Sequence, residues 1–223
     1  MANGYTLPSY YSLFWKGDTH VSGNPDLKPE SSLSWQIFSK LELLDNSFKV
    51  TYRHDDIEDM IYWDRDQNGK WKPDNIGESE VTSWEVETEI HPFKFLRLSC
   101  IYTDVTAIDI TKNSLYEGKN IIYIPEYSLK CDAIIEYQDF IVTTSYHSTG
   151  EQWTTRDQLS EEKKLSSYDL LNAGVGYSVD WKDFKFTPAL RFNNIFNKLY
   201  EIYDHIPQPG FNGEVYLGIE YRK

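Results

Sequence analysis

Apolar and polar residues alternate along this chain in short runs of period two, the signature of a strand with one apolar and one polar face. The first run sets Leu33, Trp35, Ile37, Leu41 and Leu43 against Ser34, Gln36, Lys40 and Glu42. Phe48, Val50 and Tyr52 begin a second run that continues to Met60 and Tyr62, and in a third Trp84, Val86 and Ile90 alternate with Glu85, Glu87 and Glu89. Six more follow, from Leu96 to Tyr102, Leu129 to Tyr137, Phe140 to Tyr146, Leu171 to Val179, Phe184 to Phe192 and Val215 to Tyr221. The pattern predicts nine antiparallel strands, with helix a minority reading throughout.

The connections alternate in length. Short turns are predicted at 45–46, 92–94, 138–139 and 180–183, and long loops at 64–79, 107–124, 151–167 and 198–213. Tight turns on one rim and long loops on the other are the pattern of outer-membrane barrels, whose turns are periplasmic and whose long loops are extracellular. In that register the first strand descends and the C-terminus lies in the periplasm. Nine is an odd count, whereas single-chain bacterial barrels close with an even one. The chain therefore reads as the C-terminal piece of a larger barrel, with 1–30 as an extracellular lead-in and 31–223 as one incomplete barrel domain.

Composition supports this reading and removes others. Aromatic residues make up 16% of 223 residues, with 17 Tyr and 7 Trp, while the mean hydropathy is −0.57. A barrel reconciles the two figures, because its aromatics form belts at both interfaces and every second strand residue faces a wet lumen. A net charge of −13 argues against nucleic acid as a partner. No stretch has the roughly 20 apolar residues of a spanning helix. Met1 to Leu13 carries no Lys or Arg ahead of an apolar core, so it does not read as a signal peptide.

Four segments carry a family resemblance. Gly23-Asn24-Pro25-Asp26-Leu27-Lys28-Pro29-Glu30, preceded by Leu7-Pro8-Ser9 and Ser12-Leu13-Phe14, resembles the stretch that opens the C-terminal part of the barrel in TonB-dependent outer-membrane receptors. The segment from Thr51 to Tyr62, with Asp55, Ile57, Asp59 and Ile61, is similar to that family's rising strand into a long loop. Ile121-Ile122-Tyr123-Ile124-Pro125-Glu126 resembles its Ile-x-Tyr-x-Pro approach to a descending strand. Phe192-Asn193-Asn194-Ile195-Phe196-Asn197-Lys198-Leu199-Tyr200-Glu201 resembles its Asn-Leu-Phe-Asp-Lys-x-Tyr signature. There are departures: Ser83-Trp84-Glu85 stands where Gly-Val-Glu is usual, Tyr127 where His is common, and Tyr221-Arg222-Lys223 in place of a terminal aromatic. Nothing resembles the N-terminal plug or its TonB-binding box.

The resemblance implies about nine strands of an all-β, antiparallel, up-and-down transmembrane barrel of about 22 strands. It implies uptake of a scarce, bulky nutrient such as a ferric siderophore or cobalamin across the outer membrane. The implied partners are membrane lipid, the missing barrel strands and plug, TonB through that plug, and the nutrient. Two readings from other classes stay open: a free-standing small porin or adhesin barrel, and a soluble all-β carbohydrate-binding domain.

Candidate chemistry is sparse, and no enzyme or cofactor is expected. The five His are scattered, and Glu85, Glu87 and Glu89 read as lumen-facing solvating groups with no nucleophile beside them. Asp64, Asp66 and Asn68 with Gly69 match half of a calcium loop, but the twelfth position is Asn75, so a hairpin tip is preferred. Trp71, Tyr116, Trp153, Tyr203 and Phe211 are candidate ligand-binding residues of the long loops. A belt role is open for Trp153 and for Trp63. Cys100 and Cys131 lie nearly opposite on adjacent apolar faces; two separate lipid-facing hydrophobes is the preferred reading, with a cross-strand disulfide as the alternative.

Overall fold

A computed structural model describes residues 1–66, 68–160 and 163–221. In chain order the elements are β1 (Ala2–Thr6), α1 (Tyr10–Phe14), β2 (Glu30–Leu43), β3 (Asn46–Arg65), β4 (Trp71–Phe93), β5 (Leu96–Asp109), β6 (Tyr127–Tyr137) and β7 (Phe140–Thr149). They continue with the short pair β8 (Gln152–Trp153) and β9 (Lys164–Leu165), then β10 (Tyr168–Tyr177), β11 (Val179–Trp181), β12 (Phe184–Asn193), the short pair β13 (Glu201–Tyr203) and β14 (Ile206–Pro207), and β15 (Asn212–Tyr221). One antiparallel sheet runs β1-β2-β3-β4-β5-β6-β7-β10-β12, where β12 pairs with both β11 and β15. The nine predicted runs are β2, β3, β4, β5, β6, β7, β10, β12 and β15. β1, inside the predicted lead-in, adds a short strand beside β2.

The predicted faces hold. Partners such as Val50↔Val86, Val86↔Tyr102, Tyr102↔Leu129 and Leu171↔Tyr146 lie in register across the sheet. Lys49↔Glu87, Ser99↔Asp132 and Arg191↔Glu214 do the same on the other face. Side chains that a soluble domain would bury are open on the apolar side, for example Leu41 at 55% and Leu217 at 61% exposure. Aromatics close this face at both ends. At the long-loop end, Trp35, Tyr52 and Trp84 meet with ring centroids 5.4 and 4.9 Å apart, and Tyr102 meets Tyr127 at 6.3 Å. At the tight-turn end stand Phe93 with Phe95, Phe140 with Tyr177 and Phe184 with Tyr221, at 5.3, 4.7 and 5.3 Å. Nine residues separate Trp84 from Phe93 on β4; at roughly 3.3 Å per residue and a tilt of about 45° that is about 21 Å of height, near the apolar band of an outer-membrane barrel.

Three of the four tight turns place a non-glycine residue at positive φ: Leu44, Gln138 and Lys182 at 55° each. Such turns match the right-handed twist of the strands they join, and pairing of the flanking strands holds the residue there. The expected long loop at 64–79 is different. β3 and β4 stay paired out to Arg65↔Trp71, so the paired strands take up most of the expected loop. Alternation could not show this extension, because its strands carry Asp, Asn, Lys and Pro instead of a clean apolar face. Asp59, at φ 54°, also reverses the facing of the hairpin. Even-numbered Tyr62 and Ile76 above it join the same buried cluster as odd-numbered Val81 and Ala107 below it.

The motifs that carry the resemblance are structural. Gly23 follows the N-capped helix α1, and a Cβ on it would stand 2.9 Å from the Trp15 amide nitrogen. Buried Asn24 donates to the Pro73 carbonyl at 3.0 Å, and the Lys28 backbone exchanges bonds of 2.8 and 3.1 Å with the Asn75 side chain. At the other end, buried Asn194 donates to the carbonyls of Lys198 and Pro209 and accepts from the Lys198 amide. A Cβ on Gly210 would strike Asn197 Oδ1 at 2.5 Å. Small residues and amides are what such tight turns require. Of the closing segment Tyr221-Arg222-Lys223, the last two residues lie outside the described residues.

Cys100 and Cys131 are joined. They stand directly opposite in the β5–β6 register with Cα atoms 4.1 Å apart and form a disulfide, which replaces the preferred reading of two separate thiols. Direct opposition at the narrow cross-strand spacing puts the sulfurs within bonding reach. The bridge closes a sequence separation of 31 residues, worth about 3–4 kcal/mol in the chain-entropy model. Cys100→Ser with Cys131→Ser should lower the urea midpoint of the detergent-folded protein accordingly. A double variant that unfolds at the wild-type midpoint would show that the bridge contributes nothing.

Candidate functional site

The candidate site is the rim where the long connections meet. Its base is an apolar cluster of Tyr62, Ile76, Ala107, Ile121 and Ile122, with Tyr123, Ile124 and Trp153 packed on it. The Ile-Ile-Tyr-Ile sequence of 121–124 thus folds down over the sheet face that is polar elsewhere. Beside it, Gly77 lets Thr111 approach: a Cβ there would stand 2.7 Å from the Thr111 side chain, whose Oγ1 accepts from the Glu78 amide at 2.8 Å.

Above the cluster, Arg156 ties three segments together. Its guanidinium lies 4.0 Å from the Tyr116 ring centre and 5.6 Å from that of Tyr62, and it bonds Asp109 at 2.8 Å. Asp109 is 2% exposed, so the pair is an ion pair shielded from water, where removing one charge typically costs about 3–5 kcal/mol. Burial, with a smaller contribution from the Asp64 carboxylate, pushes the Tyr62 phenol well above its usual range, so it stays neutral. Further bonds join the same segments: Lys119 Nζ to the Asp157 carbonyl, and Gln158 to the Asn120 backbone at 2.6 Å. Gln152 donates to the Ile202 carbonyl at 3.3 Å, which brings in the β13–β14 hairpin.

The aromatic candidates divide on contact. Tyr116 and Trp153 each have a ring already covered by a cation of the chain itself, Arg156 in one case and Lys164 at 4.4 Å in the other. Tyr203 packs one side on Tyr123, 5.2 Å away, and remains 53% exposed. Burial raises the Tyr123 phenol, partly offset by a bond with the Asp204 backbone. Trp71 belongs elsewhere, bonded to the N-terminal segment through His20 and Ser22 and covered by Arg65 at 5.2 Å. Phe211 stacks on Phe192 of the apolar face at 6.3 Å. Trp63 lies beside Tyr11, and Trp153 packs on the buried cluster.

The calcium-like segment is a hairpin tip. Asp66 Oδ1 accepts from the amides of Asn68 and Lys70 at 2.8 and 2.9 Å, and Asp64 Oδ1 from that of Arg65 at 2.7 Å. These backbone donors, that of Lys70 first, hold the Asp66 carboxyl below its usual range. Its oxygens close the turn, and Gly69, at φ 76°, completes it. Sequence reasoning missed Arg156 and Asp109. A single Arg in a polar loop carries no pattern, and its partner lies 47 positions away.

Comparison with known proteins gives one consistent answer. The family described as TonB dependent receptor-like, beta-barrel matches residues 2–197. The vitamin B12 transporter BtuB of Photobacterium profundum is 26% identical over 182 residues, which covers 79% of this chain and 28% of that protein. In structure the chain resembles the copper transporter OprC, with a TM-score of 0.73 at 13% identity over 95% of this chain and 34% of the other. It also resembles BauA, the ferric preacinetobactin receptor of Acinetobacter baumannii, with a TM-score of 0.69 at 17% identity over 86% and 30%. The chain thus spans about a third or less of these relatives. On the extent of the family match and the sheet that accompanies it, the chain belongs to the TonB-dependent receptor-like β-barrels of the outer membrane.

Proposed function

We propose that this chain forms the C-terminal wall of a receptor that takes up a scarce, bulky nutrient, with the interlocked rim outside the cell and the tight turns in the periplasm. The observation that carries the reading is the open apolar face bounded by two aromatic belts, with the long connections gathered beyond one of them. Strands of a larger barrel pair with the free sides of β1 and β15, and lipid covers the apolar face. A plug within that barrel couples uptake to TonB. The relatives that align by sequence are vitamin B12 transporters, whereas the siderophore and copper proteins share the fold at under 20% identity, so a corrinoid is the first ligand to test. Tyr203, exposed and braced from behind, is the candidate residue best placed to stack on a flat ligand.

Depth gives the first test. Leu98→Arg, on the apolar face between the belts, should cost about 2–4 kcal/mol in a urea titration of the full receptor in lipid vesicles. Ser99→Arg, one position along and facing Glu89 and Asp132, should cost far less. Equal losses would sink the lipid assignment.

Sidedness is tested by single cysteines at exposed positions in the disulfide-bonded protein. Leu115→Cys, Leu159→Cys and Leu199→Cys, at 89%, 80% and 81% exposure, should react with an impermeant maleimide on whole cells, and Leu44→Cys should not. The reverse pattern would invert the topology.

For the ligand, the full receptor should bind cyanocobalamin, and Tyr203→Ala should weaken binding roughly tenfold while Trp181→Ala leaves it unchanged. If cyanocobalamin does not bind and a ferric siderophore does, the corrinoid reading falls and the uptake reading stands.

A further inference from the structure

Just beyond the upper aromatic belt, on the apolar side of the sheet, the hydrophobic pattern stops. His54 and Asp56 on β3 and Glu80 on β4 share this face, and one ligand atom from each lies within 4.8 Å of the others. They stand on paired strands: Asp56 is opposite Glu80, and His54 lies two residues along. We propose that these three side chains form a site for a divalent transition-metal ion of the zinc type on the outer wall of the barrel.

Three observations converge on it. The imidazole is positioned, since its ring stacks on Trp35 at 5.4 Å with planes 25° apart, its side chain is only 17% exposed, and Nε2 lies 3.1 Å from Asp56 Oδ1. The carboxylates face one another across a strand pair, an arrangement that repels unless a cation lies between them. No protein cation does this work. Glu80 makes no ion pair or hydrogen bond among the described residues; its partner across β4–β5 is Ile108, and the partners of Asp56 and His54 across β2–β3 are Leu33 and Trp35. The arginine and lysine of β3 nearest in sequence are engaged elsewhere, Arg53 with Asp55 and Lys49 with Glu87.

The donor set selects the ion. One imidazole nitrogen and two carboxylate oxygens suit Zn²⁺, with water completing the tetrahedron, whereas Ca²⁺ and Mg²⁺ prefer all-oxygen sites with more ligands. On binding, the neutral imidazole gives its Nε2 lone pair to the metal in place of the contact with Asp56. Rigid strands and the Trp35 stack fix two of the three ligands beforehand, so little ordering entropy opposes binding. The site does not depend on the uptake reading, because it lies on the wall and away from the rim.

The test is calorimetric titration of Zn²⁺ into the full receptor, stripped of metal by chelator and held in detergent micelles, with Mg²⁺ in excess. We expect one saturable site that Mg²⁺ does not displace, weakened at least tenfold in each of His54→Ala, Asp56→Asn and Glu80→Gln. Glu58→Gln, further along β3 on the same face, should change the affinity less than threefold. Any one of the three ligand variants that folds carries the test. Co²⁺ offers a second readout, since its visible absorption should appear in the wild type and disappear in His54→Ala. The proposal is overturned by the lack of a saturable site, by ligand variants that keep wild-type affinity, or by Glu58→Gln weakening binding as much as they do, which would mean a diffuse acidic surface.

Discussion

Backbone pairing is the constraint from which the rest of this structure follows. A strand in hydrocarbon has no water to satisfy its N–H and C=O groups, so each must find a neighbour along its whole spanning length. Here β2 to β15 pair in an unbroken antiparallel order, and each spanning strand has at least the ten residues that such a crossing needs. Once pairing is fixed, side chains have only two directions available. The apolar set on one and the charged set on the other are then the lowest-cost assignment for a wall between lipid and water.

That two-way choice explains which features were legible in the sequence. All nine long strands announce themselves because one face must stay apolar between the belts, and the tight turns because the chain must reverse there. Legibility ends at the belts. Above Trp84 both faces of β3 and β4 meet water or other loops, so alternation no longer reports pairing, and the hairpin of 46–93 looks like a loop over its last third. The Asp59 reversal is a single backbone dihedral, to which composition is blind. The cysteines lay between: their opposition was readable from symmetric spacing, whereas the bond depends on a cross-strand distance that register alone leaves open.

Charge is arranged by the same geometry. Of the acidic surplus, Glu85, Glu87 and Asp132 sit on the polar face, where Lys49 meets Glu87 and Lys130 meets Asp132. Exposed pairs of this kind contribute little stability each. Together they keep this face charged and hydrated. His54, Asp56 and Glu80 lie instead on the other face, just above the belt, and carry the metal site proposed above.

The rim shows how long connections are ordered on such a wall. The long connections after β5, β7 and β12 would be floppy if each stood alone, at an ordering cost of about 1–2 kcal/mol per residue. The Ile-rich segment of 121–124 folds inward and supplies the apolar area that offsets part of this cost, and Arg156 fastens the layer above it to Asp109. Arg156 and Lys164 lie over the rings of Tyr116 and Trp153, which thereby help to hold the loops together. Aromatic content in a loop is therefore a poor guide to binding by itself. What marks Tyr203 out is a ring braced by Tyr123 and still exposed, and a surface ordered in advance costs less to bind, which is why the ligand role is proposed for it.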